Sequence, residues 1–202
     1  MKNQFREHIT NLFKDFYFLE HTNLPVLVGK LHPQLMEEMD YFTHTCSLIK
    51  SKPLYFLKNH CNVGMNKFQV TVPTHILEDS FIFAFLIHLG EYYINLTTSA
   101  NLEDMSRRVR VRKNQNHFDA YDFWINFIET DCVNDWHTHA GHLSGVIYAE
   151  NGVNLPTLFE DNTSFNGQRG DIIIFPSNLQ HSVSHNNSTS TRITYAFNLE
   201  LI

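Results

Sequence analysis

The sequence predicts a mostly-β protein with helices, an antiparallel sandwich or barrel whose helices pack outside it. Two observations carry this. From residue 119 onward, short aromatic and β-branched runs alternate with turn residues at strand spacing. Before that point the apolar residues instead recur every three or four positions, the period of a helix face. At 202 residues the chain is most simply one domain, with 1–118 as helical support and first strands and 119–202 as the β core. An apolar fraction of 43% with 17 Phe is enough for a substantial core and argues against disorder.

The elements follow in order. Residues 4–19 read as an amphipathic helix, with Phe5, Ile9, Leu12, Phe13, Phe16 and Leu19 on one face. Residues 23–29 read as a short strand. Pro33 opens a second helix, and Leu35, Met36, Met39, Phe42, Cys46 and Ile49 give it an apolar face before Pro53 stops it. Val70-Thr71-Val72 is strand-like. Residues 76–98 read as a third helix, apolar nearly all round and therefore buried. Strands are expected at 121–128, 143–149, 158–159, 172–175 and 192–199. Gln168-Arg169-Gly170-Asp171 is a turn and 186–190 a loop.

Charge and cysteine content narrow the function. A formal net charge of −6 argues against general nucleic-acid or anionic-membrane binding. The stretch Arg107-Arg108-Val109-Arg110-Val111-Arg112-Lys113 reads as an exposed loop or edge strand kept soluble by charge, and aromatics are not interleaved with it. Cys46, Cys61 and Cys132 are an odd number without a C-x-x-C, which does not suggest a disulfide scaffold. With no apolar signal stretch near Met1 and no run of about 18 apolar residues, a cytoplasmic protein is expected, and no membrane partner.

The chemistry centres on Trp136-His137-Thr138-His139-Ala140-Gly141-His142, where three histidines fall within six residues just before the strand from Leu143. On a strand, residues two apart project from one face, so His137 and His139 are placed to share a metal. Imidazole suits zinc, copper, iron and nickel alike. The best third ligand is His181, which follows the strand 172–175. His142 and His185 read as solvated loop residues, and Trp124 and Trp136 as packing. Pro176 and Ser177 shape the turn that presents His181. Arg192 lies eleven residues beyond His181, with Thr194 on the same strand face. A metal and an arginine placed in this way would hold the two ends of a dicarboxylate, because a guanidinium forks onto a carboxylate.

These motifs, with Leu143-Ser144-Gly145-Val146-Ile147-Tyr148 and Gly170-Asp171-Ile172-Ile173-Ile174-Phe175-Pro176-Ser177, resemble the Fe(II)/2-oxoglutarate-dependent dioxygenase superfamily. They look most like its prolyl-hydroxylase-like branch and, within it, small oxygenases of phages and bacteria. The resemblance covers residues 121–199. It implies a double-stranded β-helix, the jelly roll of cupin-like proteins, braced by N-terminal helices. It implies Fe(II), 2-oxoglutarate and O2 as cofactor and cosubstrates. His137 and His181 match metal ligands, and Arg192 matches the partner of the 2-oxoglutarate 5-carboxylate. Tyr148 matches a further donor to that carboxylate, and Asn126 and Thr194 line the pocket. Localisation would be cytoplasmic, or the host cytoplasm for a phage-encoded chain.

One departure stands out. The superfamily's usual motif is H-x-D, which gives a 2-His-1-carboxylate triad, and here His139 occupies the carboxylate position. A third neutral imidazole leaves the iron one charge unit more positive and favours anionic ligands. Asp135 would replace the carboxylate only by reversing the register. Two other classes stand beside the dioxygenase: a cupin-like three-His enzyme that does not use 2-oxoglutarate, and a non-catalytic jelly-roll binding or structural protein. The substrate is open, small molecule or macromolecule. The loops at 150–170, with Phe159, Glu160, Asp161 and Asn162, and the basic stretch 107–113 are the expected substrate-facing segments.

Overall fold

The computed structural model describes residues 15–50, 61–64, 67–98, 108–114, 120–150 and 154–202. Two antiparallel sheets face each other. The larger contains β1 (Tyr17–Phe18), β2 (Leu27–Lys30), β3 (Cys61–Gly64), β4 (Lys67–Thr71), β5 (Val109–Val111) and β6 (Phe123–Ile128), together with β8 (Leu143–Glu150), β11 (Asp171–Pro176) and β13 (Arg192–Leu201). Its order is β1-β2-β11-β8-β13-β6-β4-β3, and β5 pairs with the far end of β13. The smaller sheet has the order β10-β9-β12-β7, from β7 (Asn134–His137), β9 (Thr157–Phe159), β10 (Ser164–Phe165) and β12 (His181–Val183). The antiparallel sandwich expected from the sequence is therefore present, as the double-stranded β-helix.

The helices are α1 (Pro33–Lys50), α2 (Thr74–Glu78) and α3 (Phe81–Thr97). The buried face of α1 is Leu35, Met39, Phe42 and Cys46, at alternating spacings of four and three. It packs with Ile82, Leu86, Leu89 and Tyr93 of α3 against the outer face of the large sheet, onto Ile147, Tyr195 and Phe197. The other face of the same strands points between the sheets. There Val146, Tyr148, Ile173 and Phe175 make a second, smaller core with Phe159 and Leu179. Strand alternation thus gives β8, β11 and β13 an apolar back that braces the helices and a front that carries the site.

Three boundaries differ from the sequence reading. Most of the helix expected at 4–19 lies outside the described residues, but its end is corrected: Tyr17 and Phe18 form a strand paired with Val28 and Leu27. The helix expected at 76–98 is two helices. Ser80 breaks it, because its hydroxyl accepts the N–H of Phe83 at 3.2 Å and so caps α3. Glu38, reaching across from α1, accepts the N–H groups of Phe81 at 3.0 Å and Ile82 at 2.9 Å. The strand expected at 23–29 starts only at Leu27, after Pro25. Among the described residues, no helix is long and apolar enough to cross a membrane.

Candidate metal centre

His137, His139 and His181 converge. Their ligating nitrogens lie within 4.8 Å of one another. The ring centroids of His137 and His181 are 4.4 Å apart, those of His137 and His139 4.8 Å, and those of His139 and His181 5.1 Å. The reason they meet is not the one read from spacing. His137 is the last residue of β7 and His139 lies beyond the strand, in the loop to β8. The two therefore do not share one strand face. Gly141, at φ +107°, turns the chain into β8, a conformation that suits glycine.

A bulge aims His137. It pairs with His181 and Asn134 pairs with Val183, so three residue steps on β7 oppose two on β12. The extra residue lets both Asn134 and His137 face the cleft. It also leaves Trp136 turned to solvent at 53% exposure, which corrects its reading as a packing residue. His142 and His185 are exposed, as expected, and stand apart from the cluster.

His181 is buried, with its Nδ1 3.0 Å from the Leu179 carbonyl. His137 Nδ1 lies 2.6 Å from the Asp135 carbonyl. An imidazole that donates Nδ1–H to a carbonyl carries its lone pair on Nε2, so these contacts select the metal-ligating tautomer. Burial, and then the neighbouring His137, pull the His181 pKa down to about 4. It is thus a neutral ligand across the physiological range. The donor set suits a divalent transition metal such as iron.

The cleft leading inward holds about 390 Å³ of unfilled space, part of it open to solvent. Arg192 lines it and is 2% exposed. One guanidinium nitrogen donates to Thr157 Oγ1 at 2.9 Å, and the guanidinium carbon lies 5.0 Å from the centre of the Tyr148 ring. The buried Nε has no hydrogen-bond partner among the described residues. Burial lowers the Arg192 pKa and the adjacent Tyr148 partly offsets this. A buried cation with an orphaned donor, in the cleft that also holds the histidines, is chemically suited to an anion, since such a donor is costly to leave unmet. Tyr148 is buried and its hydroxyl is 2.6 Å from Thr157 Oγ1, so it braces the arginine from below.

Thr194 and Asn126 line the same cleft. Asn126 Oδ1 accepts from Trp124 Nε1 at 3.1 Å and from Gln69 at 2.7 Å. Because an indole can only donate, this fixes the amide orientation. Trp124, Gln69, Asn134 and Thr157 are site residues that the sequence reading missed; no motif marks them, and only strand register brings them in. Of the two segments expected to face substrate, 150–170 contributes Thr157 to the cleft, and parts of both are engaged within the fold. Phe159 is buried against Phe175, and the Asp161 carboxylate is occupied by the N–H groups of Asn23 and Thr163. In the basic stretch, Arg110 pairs with Glu200 and Arg112 is buried against Asp122; Arg107 lies outside the described residues.

A three-histidine cluster and a buried arginine thus share one cleft of a double-stranded β-helix. Comparison with known proteins agrees. The sequence model of the family described as "Putative 2OG-Fe(II) oxygenase" matches residues 154–198, the segment that carries Thr157, His181, Arg192 and Thr194. No curated protein matches the chain. Among solved structures, the dioxygenase for auxin oxidation 1 of Arabidopsis thaliana, a 2-oxoglutarate binary complex, is similar at a TM-score of 0.58 and 12% identity, over 86% of this chain and 83% of that one. A 2OG-Fe(II) oxygenase family oxidoreductase of Burkholderia pseudomallei gives 0.53 and 11%, over 86% and 84%. HygX of Streptomyces hygroscopicus, with nickel, 2-oxoglutarate and hygromycin B bound, gives 0.52 and 10%, over 96% and 86%. The likeness to these structures is one of fold. The family match is confined to residues 154–198, less than half of the chain.

Proposed function

We propose that the protein hydroxylates its substrate at a three-histidine iron centre, in the manner of the prolyl-hydroxylase-like branch, with 2-oxoglutarate converted to succinate and CO2. The observation that carries this is the orphaned, fully buried Nε of Arg192, in the same cleft as His137, His139 and His181. Bound iron with 2-oxoglutarate and O2 supplies the oxidising chemistry. The chain's own residues do the rest. His137, His139 and His181 hold the metal as neutral donors. Arg192 takes the far carboxylate of 2-oxoglutarate in a charge-assisted pair, and Thr157 and Tyr148 keep the guanidinium in place. Thr194 and Asn126 line the path between, where Asn126 has its amide N–H groups to offer because Gln69 and Trp124 occupy its oxygen.

The reading is tested by adding Fe(II) and 2-oxoglutarate anaerobically and recording the visible spectrum. A weak charge-transfer band in the green is expected, lost in His137→Ala and Arg192→Leu. Iron uptake without the band would favour a three-histidine enzyme that does not use 2-oxoglutarate. No metal uptake would leave a jelly-roll binding protein.

A further inference from the structure

A buried polar chain runs under the loop that carries His139, and none of its members lies in the histidine cluster. Arg112 and Asp122 form a buried ion pair. Arg112 also contacts Glu200 at 3.3 Å. Asn198 Nδ2 donates to the same Asp122 oxygen at 3.3 Å, and its Oδ1 accepts from Ser144 Oγ at 2.7 Å. Ser144 has a single hydroxyl hydrogen and spends it on Asn198. The 2.9 Å contact between Ser144 and Ser177 therefore has Ser177 as donor. Each link has a fixed direction, ending on the Asp122 carboxylate.

The other end of this chain is the metal loop. The Ser177 carbonyl accepts the His139 N–H at 2.9 Å, and Ser177 N–H donates back to His142 at 3.1 Å. His142 N–H bonds Leu199 at 2.9 Å. Gly141 rests on the base of the network: a methyl group there would lie 3.0 Å from the Leu199 carbonyl and 3.4 Å from Arg112 Cδ. His139 sits outside any strand, so a β-ladder does not fix it as it fixes His137 and His181. A buried ion pair is a weak source of stability, because desolvation offsets its attraction. What the pair does provide is a rigid charged anchor.

We infer that Arg112 and Asp122, acting through Asn198, Ser144 and Ser177, are positioning residues that hold His139 in the metal cluster. The inference rests on the three-histidine reading. The test uses Cu(II) alone, with affinity taken from titration and the number of coordinating nitrogens from electron paramagnetic resonance. Circular dichroism and melting report the fold. The paired substitution Arg112→Met/Asp122→Leu removes both buried charges together and leaves Glu200 with Arg110, so no buried charge is stranded. Its Cu(II) affinity is expected to fall 10- to 100-fold, with a nitrogen pattern like that of His139→Ala. Ser177→Ala cuts only the last side-chain link and is expected to show the same change more weakly; it decides the matter if the paired variant does not fold. The inference is overturned if folded variants keep the wild-type affinity and nitrogen pattern while His139→Ala alters both. If His139→Ala itself alters neither, the three-histidine reading falls first and this inference with it.

Discussion

His137 and His181 are register partners across the β7–β12 ladder, and their rings stand 4.4 Å apart. Two imidazoles held by one hydrogen-bonded ladder are preorganised by backbone rather than by side-chain contacts. Replacing either by Ala is expected to reduce Fe(II) affinity by at least the 10- to 100-fold typical of losing a ligand's supporting group, and by more than His139→Ala does. Titration calorimetry under anaerobic conditions measures this.

Arg192→Leu is expected to leave metal binding intact while 2-oxoglutarate affinity falls on the order of 100-fold or more, as for truncation of a buried charge partner. Arg192→Lys should restore little of it, since an ammonium group lacks the planar fork. Thr157→Val removes the hydroxyl bonded to both Arg192 and Tyr148 and should give a smaller loss of the same kind. The KM for 2-oxoglutarate, set against Fe(II) affinity, separates the effects.

Gly167 lies flat against the Tyr148 ring, and a methyl group there would come within 2.5 Å of its atoms. Gly167→Ala is expected to displace the tyrosine and destabilise the protein by about 1–3 kcal/mol. It should also weaken 2-oxoglutarate binding, because the ring supports Arg192. A melt paired with the 2-oxoglutarate titration checks both.

In the metal-free protein, His181 has a pKa of about 4 against an ordinary 6.5. The unfolded chain therefore takes up this proton first as pH falls. The contribution to stability is full above about pH 6.5 and is lost progressively down to about pH 4, an effect on the order of 3 kcal/mol. Denaturant melts of wild type and His181→Gln across this range should show a slope in the wild type that the variant lacks.

Glu38 caps α3 from another helix by taking the N–H groups of Phe81 and Ile82. Glu38→Ala strands two donors at a helix start and is expected to cost about 1–2 kcal/mol. Glu38→Gln keeps an acceptor and should cost less. Chemical denaturation provides the comparison.

The local patterns in the sequence were enough for α1 and for the cores of β6, β8, β11 and β13, because helix and strand periods and turn residues act over a few positions. The break at Ser80 was hidden by an unbroken apolar run, and part of what stabilises it is Glu38, some forty residues earlier in the chain. The H-x-H spacing named two histidines that the fold does bring together, but not by sharing a strand face, since the strand ends at His137 and a loop carries His139. Thr157 had no signature at all. Its role arises from lying between Tyr148 and Arg192, which belong to separate strands.

By itself the sequence determined the strand and helix alternation, the three histidines, and an arginine placed on the final strand after the last of them. Only the tertiary structure decided that Asn134 and His137 both face inward, that Arg192 is buried with an orphaned donor, and that Arg112 is buried against Asp122 rather than a surface charge. The reason is physical: periodicity is a property of neighbours along the chain, whereas a bulge, a desolvated charge and a shared hydrogen bond depend on which distant strands pair, and in what register.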